Sequence, residues 1–258
     1  MQAQITPLIL TFNEAPNIGR TLKKLDWAKE IVVLDSFSSD ETLDIVKAFP
    51  RTRIVERRFD THSTQWNYGL DQCSTDWVLA LDADYVLDED FIGELRDFQP
   101  QSGITAYLGR FRYCVQGHPL RATLYPPRVL LFSRNRCRYV QDGHTQVLRV
   151  DGNTGWLRGH INHDDRKPLS RWLWAQDRYA LLEVDKLRST QPGRMSLQDQ
   201  IRRCVVLAPP MVFLYTLLYK GLVLDGWPGW YYVFQRTLAE MILSLRLVEA
   251  RLARKIKS

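Results

Sequence analysis

The chain has 258 residues, with 35 Lys and Arg against 29 Asp and Glu, a formal charge of +6 and 45% hydrophobic residues. That length allows one sizeable α/β domain with an appendage or two small domains, and the apolar share is that of an ordinary globular protein. The basic balance fits anionic partners such as nucleotide phosphates or an anionic membrane surface, whereas nucleic acid is set aside because the charge is spread over several segments with no reader motif. Cys73, Cys114, Cys137 and Cys204 show no C-x-x-C spacing, so neither a disulfide framework nor a structural zinc site is expected. The N-terminus lacks the basic region and long apolar core of a signal peptide, and the expected location is the cytoplasmic side.

In chain order, Pro7 to Phe12 reads as a strand running into Asn13-Glu14, and Ala15 to Trp27 as a helix with Ile18, Leu22 and Leu25 on one face. Ile31 to Leu34 is a second strand ending in Asp35, followed by the turn and cap residues Ser36 to Glu41 and a short helix over Thr42 to Phe49. Arg53 to Glu56 and Thr64 to Gln72 give a third strand and helix. Val78 to Leu81 then delivers Asp82 and Asp84 at its C-terminal end. Alternating strands and helices predict a parallel sheet built from βαβ units. Roughly one Asp-x-Asp triplet is expected by chance in a chain this long, and Asp88-Glu89-Asp90 is a second one. The strand context raises the first above that background, since an open α/β sheet binds ligands beyond the carboxyl ends of its strands and hard oxygen donors suit a divalent cation.

Between Thr105 and Val150 the pattern turns β-rich, with strands over Ala106 to Val115 and Arg128 to Phe132, as a mixed extension of the same sheet. From Leu169 an amphipathic helix runs to near Gln191-Pro192-Gly193, and Ser196 with Asp199 forms a capping signal. Val205 to Leu224 is apolar, but Pro209-Pro210 and Lys220 favour an interfacial or re-entrant segment over a spanning helix. A turn at Asp225 to Gly229 precedes a last helix with Phe234, Leu238, Met241, Leu245, Val248 and Leu252 in one stripe. Trp227, Trp230, Tyr231 and Tyr232 point to a membrane interface; the alternative is helices that simply pack on the α/β domain.

Leu10-Thr11-Phe12-Asn13-Glu14, Val33 to Thr42 and Leu81-Asp82-Ala83-Asp84 resemble the successive signatures of family 2 glycosyltransferases with the GT-A fold. Gly159 to His163 and Lys220 to Gly226 resemble the branch that builds bacterial lipopolysaccharide core and surface polysaccharide. The resemblance implies an α/β fold, a GT-A (Rossmann-like) mixed sheet flanked by helices, with a C-terminal helical membrane-associated extension. Residues 1–168 would form the transferase domain, split into a nucleotide-sugar half (1–100) and an acceptor half (101–168), and 169–258 the amphipathic helical region. It further implies an inverting, metal-dependent enzyme that moves a hexose, glucose foremost, from a UDP-sugar to an anionic or lipid-linked glycan on the cytoplasmic face of the inner membrane, held there peripherally or monotopically.

On that resemblance the donor sits against Thr11, Asn13, Glu14, Asp35 and Asp82, and Mg²⁺ or Mn²⁺ on Asp84 with His163; His160 competes for the histidine role. Asn13 and Glu14 also read as helix-capping residues, and Ser38 and Asp40 as caps. The charged run Asp164-Asp165-Arg166 is expected to steady the diphosphate. An inverting transfer needs a base for the acceptor hydroxyl. Where the family has a His-Glu pair this chain has His144-Thr145, so Asp142 is the first choice and His144 the second, with a turn Asp before Gly143 as the alternative. Gln65 precedes Trp66-Asn67 where relatives have Arg or Lys, leaving phosphate contacts to the arginines 110, 112, 121, 128, 134, 136 and 138. Two other functions remain open: a non-catalytic membrane-associated nucleotide-sugar-binding protein, and a sugar-phosphate nucleotidyltransferase, which would be expected to carry more glycine after the first strand.

Overall fold

A computed structural model describes residues 4–142, 145–191, 193 and 195–255. The chain divides into two compact units, residues 1–119 with 123–166, and residues 120–122 with 167–258.

In the first unit the strands β1 (Ile5–Thr11), β2 (Ile31–Asp35), β3 (Thr52–Glu56) and β4 (Trp77–Asp82) pair in parallel in the order β3-β2-β1-β4. They are apolar at successive positions because both faces are covered. Ile9, Val33, Leu79 and Leu81 pack on one face with Ile18 and Leu22 of α1 (Ile18–Lys23) and Phe91 of α4 (Glu89–Arg96). Leu8, Val32, Leu34 and Val78 pack on the other with Trp66 and Leu70 of α3 (His62–Gln72). The helix α2 (Thr42–Lys47) joins β2 to β3. The sheet then continues as β8 (Arg128–Ser133), β6 (Ile104–Val115), β11 (Asn153–His163) and the edge strand β5 (Tyr85–Leu87), with β7 (His118–Pro119) on β6. Both β4–β8 and β11–β5 are antiparallel, so the sheet is mixed. A separate antiparallel ribbon pairs β9 (Cys137–Asp142) with β10 (Thr145–Val150).

Two expected details change. The first helix starts at Ile18 rather than Ala15, because Glu14 to Asn17 form a hydrogen-bonded turn, and Asn13 and Glu14 do not cap it. Asp88 is the N-cap of α4, accepting from Phe91 N–H, with Glu89 and Asp90 in the first turn, so the second acidic triplet is a helix start.

The strand β11 carries a register shift between Trp156 and His160. Glu94 accepts the amide N–H of Arg158, and Asp88 that of His160, replacing ladder bonds which the irregularity removes. Gly159 passes so close to the backbone of Phe91 that a Cβ would collide with it. Gly159→Ala is therefore expected to cost at least about 2–3 kcal/mol, read as a fall in Tm, because a backbone clash cannot be relieved by a rotamer change.

The second unit contains α5 (Leu169–Ser189), α6 (Leu197–Arg203), α7 (Ala208–Leu214), a π-helical turn (Tyr215–Tyr219), a 3-10 turn (Leu222–Asp225) and α8 (Gly226–Lys255). Its core joins Ala180, Val184 and Leu187 to Leu243 and Leu247. Arg202 bridges Glu240 and Glu183, and Arg246 pairs with Asp177. Ser196 caps α6 by accepting from Asp199 N–H. The expected turn at Asp225 to Gly229 is instead largely the first turn of α8, where the missing N–H of Pro228 costs nothing. Val205 to Leu224 breaks into short pieces, and no helix among the described residues is long and apolar enough to cross a membrane. The four cysteines are free thiols.

Candidate active site

The C-terminal ends of β1, β2 and β4 lie side by side, because Thr11 registers with Asp35 and Leu10 with Asp82. The loops after β1 and β2 are sewn together by short polar bonds. Thr11 Oγ1–H donates to Asp35 Oδ1 (2.8 Å), and Ser38 donates through N–H to Asp35 Oδ2 (2.7 Å) and through its hydroxyl to Oδ1 (2.6 Å). Asp35 is fully buried and Thr11 nearly so. Of the predicted donor ligands, these two are thus bonded to each other and to Ser38. Asn13 takes a left-handed conformation (φ +54°), its backbone N–H donating to Ser38 Oγ and its side-chain Oδ1 accepting from Ser39 N–H. Asn tolerates that region better than most residues. Glu14 N–H donates to Thr42, and the Glu14 carboxylate accepts from Asn17. Asp40 accepts from Ala15 and Thr42 N–H, so it serves as a brace between loops.

Asp84 is buried, and its Oδ2 lies 3.1 Å from Nε2 of His163, which β11 brings alongside Tyr85. Burial pulls the imidazole pKa down, but Asp84 and then Asp82 more than offset this and hold it above the usual value. Burial, and after it the charge of Asp84, pushes the Asp82 carboxyl above the usual range. Three tyrosines surround the imidazole edge-on, with ring centroids 5.4 Å (Tyr85), 5.0 Å (Tyr113) and 4.7 Å (Tyr125) away. Tyr85 and Tyr125 hydroxyls hydrogen-bond each other. His160, by contrast, faces Asp88, so the structure brings His163 and not His160 to Asp84.

These donors fit a divalent cation. Burial and the nearby charge of Asp84 raise the Asp82 carboxyl, a cost that a positive charge between them relieves, and His163 Nε2 already lies against Asp84 Oδ2. Among the described residues no group of three or more His, Cys, Asp or Glu is arranged to hold a metal ion by itself. A cation of the Mg²⁺ type takes one or two carboxylates and completes its shell with phosphate oxygens and water.

Asp142 ends β9 opposite Thr145, and its side chain, like His144, lies outside the described residues. The ribbon itself is anchored to α3. Asn67 donates to Tyr139 O and accepts from Tyr139 N–H, Trp66 stacks on the Tyr139 ring at 5.3 Å, and Ser63 donates to Gln141. Gln65, at the position where a phosphate contact was looked for, is fully buried and engaged with Ser36 and Arg57.

The remaining charged expectations are redistributed. Asp164 is buried and held by Arg20 and Arg166, so that part of the run is an internal ion cluster rather than a diphosphate contact. The arginines do not form one patch either. Arg136 pairs with Asp151, Arg138 with Asp71 and Arg121 with Asp225, while Arg134 donates to Thr75 O. Arg128 stands over the Tyr125 ring at 4.7 Å and raises the positive potential near Asp82.

The sequence profile of glycosyl transferase family 2 matches residues 8–159, which span the ends of β1, β2 and β4 and stop four residues before His163. The chain belongs to glycosyl transferase family 2. It is 23% identical over 242 residues to the lipopolysaccharide core biosynthesis glycosyltransferase LpsC of Rhizobium meliloti, covering 87% of this chain and 84% of LpsC. It is 31% identical over 97 residues to the glycosyltransferase SunS of Bacillus subtilis, covering 35% of this chain and only 22% of SunS. Among solved structures, S. aureus TarS (1–349) aligns over 92% of this chain and 90% of that chain, with 14% identity and a TM-score of 0.48.

Two features of this family 2 site escaped sequence reasoning. The tyrosine cage assembles from β5, β6 and the segment before β8, and only Tyr85, next to Asp84, carried a local signal. Phe37, in the loop after β2, is half exposed and left-handed (φ +61°), which is costly for an aromatic residue. No spacing announces such a residue.

Proposed function

We propose that this family 2 chain is an inverting hexosyltransferase, using a UDP-sugar, with glucose as the first sugar to test, and a membrane-anchored saccharide or lipid as acceptor. The observation that carries the reading is the gathering of Asp82, Asp84 and His163 beside the braced loops of β1 and β2. Asp84 and His163 Nε2 would hold Mn²⁺ or Mg²⁺, with Asp82 alongside; the ion supplies neutralisation of charge on the departing diphosphate. The chain's own residues do the rest. The Thr11–Asp35–Ser38 bonds fix the loop that carries Asn13 and Phe37, and Asp142 takes the proton from the acceptor hydroxyl as that oxygen attacks the anomeric carbon opposite the leaving group. LpsC, similar over nearly its whole length, supports an acceptor in lipopolysaccharide core synthesis.

The test is a panel of UDP- and GDP-sugars with Mn²⁺, read by thermal shift. One UDP-hexose that raises Tm above UDP alone agrees with the reading, and stabilisation by GDP-sugars only overturns it. Phe37 is assigned to stack on the nucleobase, which gives its strained backbone a purpose. Phe37→Ala is then expected to weaken UDP binding about tenfold, the worth of one base–aromatic stack. Unchanged affinity in a titration would remove Phe37 from the site.

The second unit is proposed to rest on the membrane, at the cytoplasmic face where nucleotide sugars are made. Trp227 (83% exposed), Tyr219 (78%) and Val206 (74%) stand out from it, with Leu218 and Leu224 also exposed. Between Gln200 and Ala239 the only acidic residue is Asp225, which Arg121 neutralises, while Lys220 and Arg236 add positive charge. An apolar face with interfacial aromatics and cations fits an anionic leaflet. Sedimentation with phosphatidylglycerol vesicles is expected to drop more than about tenfold in the Tyr219→Ser, Trp227→Ser double variant. Wild-type protein that forms a dimer and ignores the vesicles would assign this face to a second copy.

A further inference from the structure

A cleft of about 430 Å³ lies beside the sheet edge, bounded by α1, β5, β6 and the segment after β11. It is separate from the Asp84–His163 pair. His163 registers with Tyr85 and Tyr113, whereas Asn162 registers with Val86 and Arg112. Side chains alternate along a strand, so His163 points to one face of these three strands and Asn162, Val86 and Arg112 to the other. The cleft is lined by the second set.

Its charge is unbalanced. Arg20 and Lys23 of α1 and Lys24 just after it line it together with Arg112 and Arg166, and the carboxylates paired directly with these five cations are Asp164 and Glu89. Asp164 Oδ2 lies 2.7 Å from Arg20 and 2.9 Å from Arg166, and its Oδ1 accepts from Gly117 N–H at 3.0 Å. Its oxygens are thus occupied, and one negative charge cannot neutralise two guanidiniums. Glu89 meets Lys24 at 2.6 Å, but the Glu89 side chain is 77% exposed and water screens the pair. Lys23 and Arg112 have no carboxylate partner among the described residues; Arg112 has only a long 3.5 Å contact to Asn162. Asp84 and Asp165, outside the lining, also act on Arg20, so the positive charge left unanswered sits chiefly on Lys23 and Arg112.

The excess has a structural cost. Burial lowers the pKa of Arg20; Arg166 adds to the lowering and Asp164 opposes it. Arg20 Nε is buried with no hydrogen-bond partner among the described residues. A bound anion relieves both. The guanidiniums are also already fixed, since Arg20 donates to Asn17 Oδ1 and Asp164 O as well, so little side-chain entropy is lost on binding.

We infer that this cleft binds a phosphomonoester carried on a sugar, the dianion lying among Arg112, Lys23 and the Arg20–Arg166 pair. Guanidinium forks match phosphate oxygens, and a cavity of this volume holds a small organic molecule rather than a bare ion. The same chemistry is offered by a free sugar phosphate and by a phosphorylated residue at the end of a glycan. Nothing in the inference depends on the donor or on the reaction at Asp84.

The test titrates the full-length protein, saturated with UDP and Mn²⁺, with glucose 6-phosphate, inorganic phosphate, glucose and a pentamannose carrying a terminal 6-phosphate, by calorimetry at constant ionic strength. Glucose 6-phosphate is expected to bind more tightly than phosphate or glucose. Lys23→Gln and Arg112→Gln are each expected to weaken it about tenfold, the loss of one charge-assisted bond. Arg112→Lys should restore part of the loss, which a folding defect would not allow. Arg20, Asp164 and Arg166 are left intact, because Asp164 N–H also donates to Asp84 O. Tighter binding of the phosphorylated pentamannose assigns the cleft to a glycan, and equal binding assigns it to the free sugar phosphate. Absence of binding at millimolar ligand, identical binding by the variants, or binding that appears only when UDP is left out overturns the inference. Line broadening of the ³¹P signal of glucose 6-phosphate by wild-type protein provides a readout that needs no variant.

Discussion

Asp84→Asn is expected to lower glycosyl transfer by about a thousandfold or more, while the protein stays folded. Asn keeps the size of the side chain and one oxygen but removes the charge that a divalent ion needs, and loss of charge stabilisation on a departing diphosphate is worth several kcal/mol. The fold tolerates the change because two effects oppose each other. The ion pair between Asp84 and His163 at 3.1 Å is lost, and the repulsion from Asp84, which adds to burial in raising the Asp82 carboxyl, is relieved. Without metal, the substitution also removes a pH dependence. The folded-state pKa of His163 is raised, so the pair stabilises the protein below the ordinary histidine pKa, and that contribution fades as pH rises through the raised value. The variant should lose this alkaline decline. Measurements are turnover, Tm against pH, and UDP binding with and without EDTA. UDP binding by the wild type that is indifferent to EDTA would sink the metal assignment.

The strands that carry this site were legible because their apolar runs are buried on both faces and stop abruptly. Asp35 and Asp82 end such runs, and the sheet places those ends together whatever the loops do. What could not be read is set by partners far apart in the chain. Arg20 and Asp164 are 144 residues apart, so sequence could not show that Asp164, in a run expected to steady the diphosphate, is held in an interior ion cluster. The resemblance assigns Thr11 and Asp35 to the donor, but the Ser38 bonds that tie them to each other and to the β2 loop carry no signal in the sequence. Periodicity also overestimated the first helix. Ile18, Leu22 and Leu25 share a face, but the Glu14–Asn17 turn takes up the residues before Ile18 and α1 ends at Lys23. At Asp225 to Gly229 the error ran the other way: Pro and Gly read as a turn, although a helix accepts Pro in its first turn.

Asp142→Asn is expected to reduce kcat by about 10²–10⁴-fold, the usual worth of a general base, and to leave UDP affinity unchanged. The placement of its backbone supports the role. β9 is clamped at Tyr139 by Asn67 and Trp66, and at Gln141 by Ser63, next to the start of α3. Asp142 thus follows directly on the last clamped residue of β9. Asn preserves shape and hydrogen-bonding capacity, so a drop in kcat without a change in UDP binding isolates proton transfer from positioning. If the variant turns over at a near-normal rate, the base is His144, and His144→Gln should then show the loss. A variant that loses UDP affinity together with turnover would instead make Asp142 part of the donor site, leaving acceptor deprotonation to a residue elsewhere.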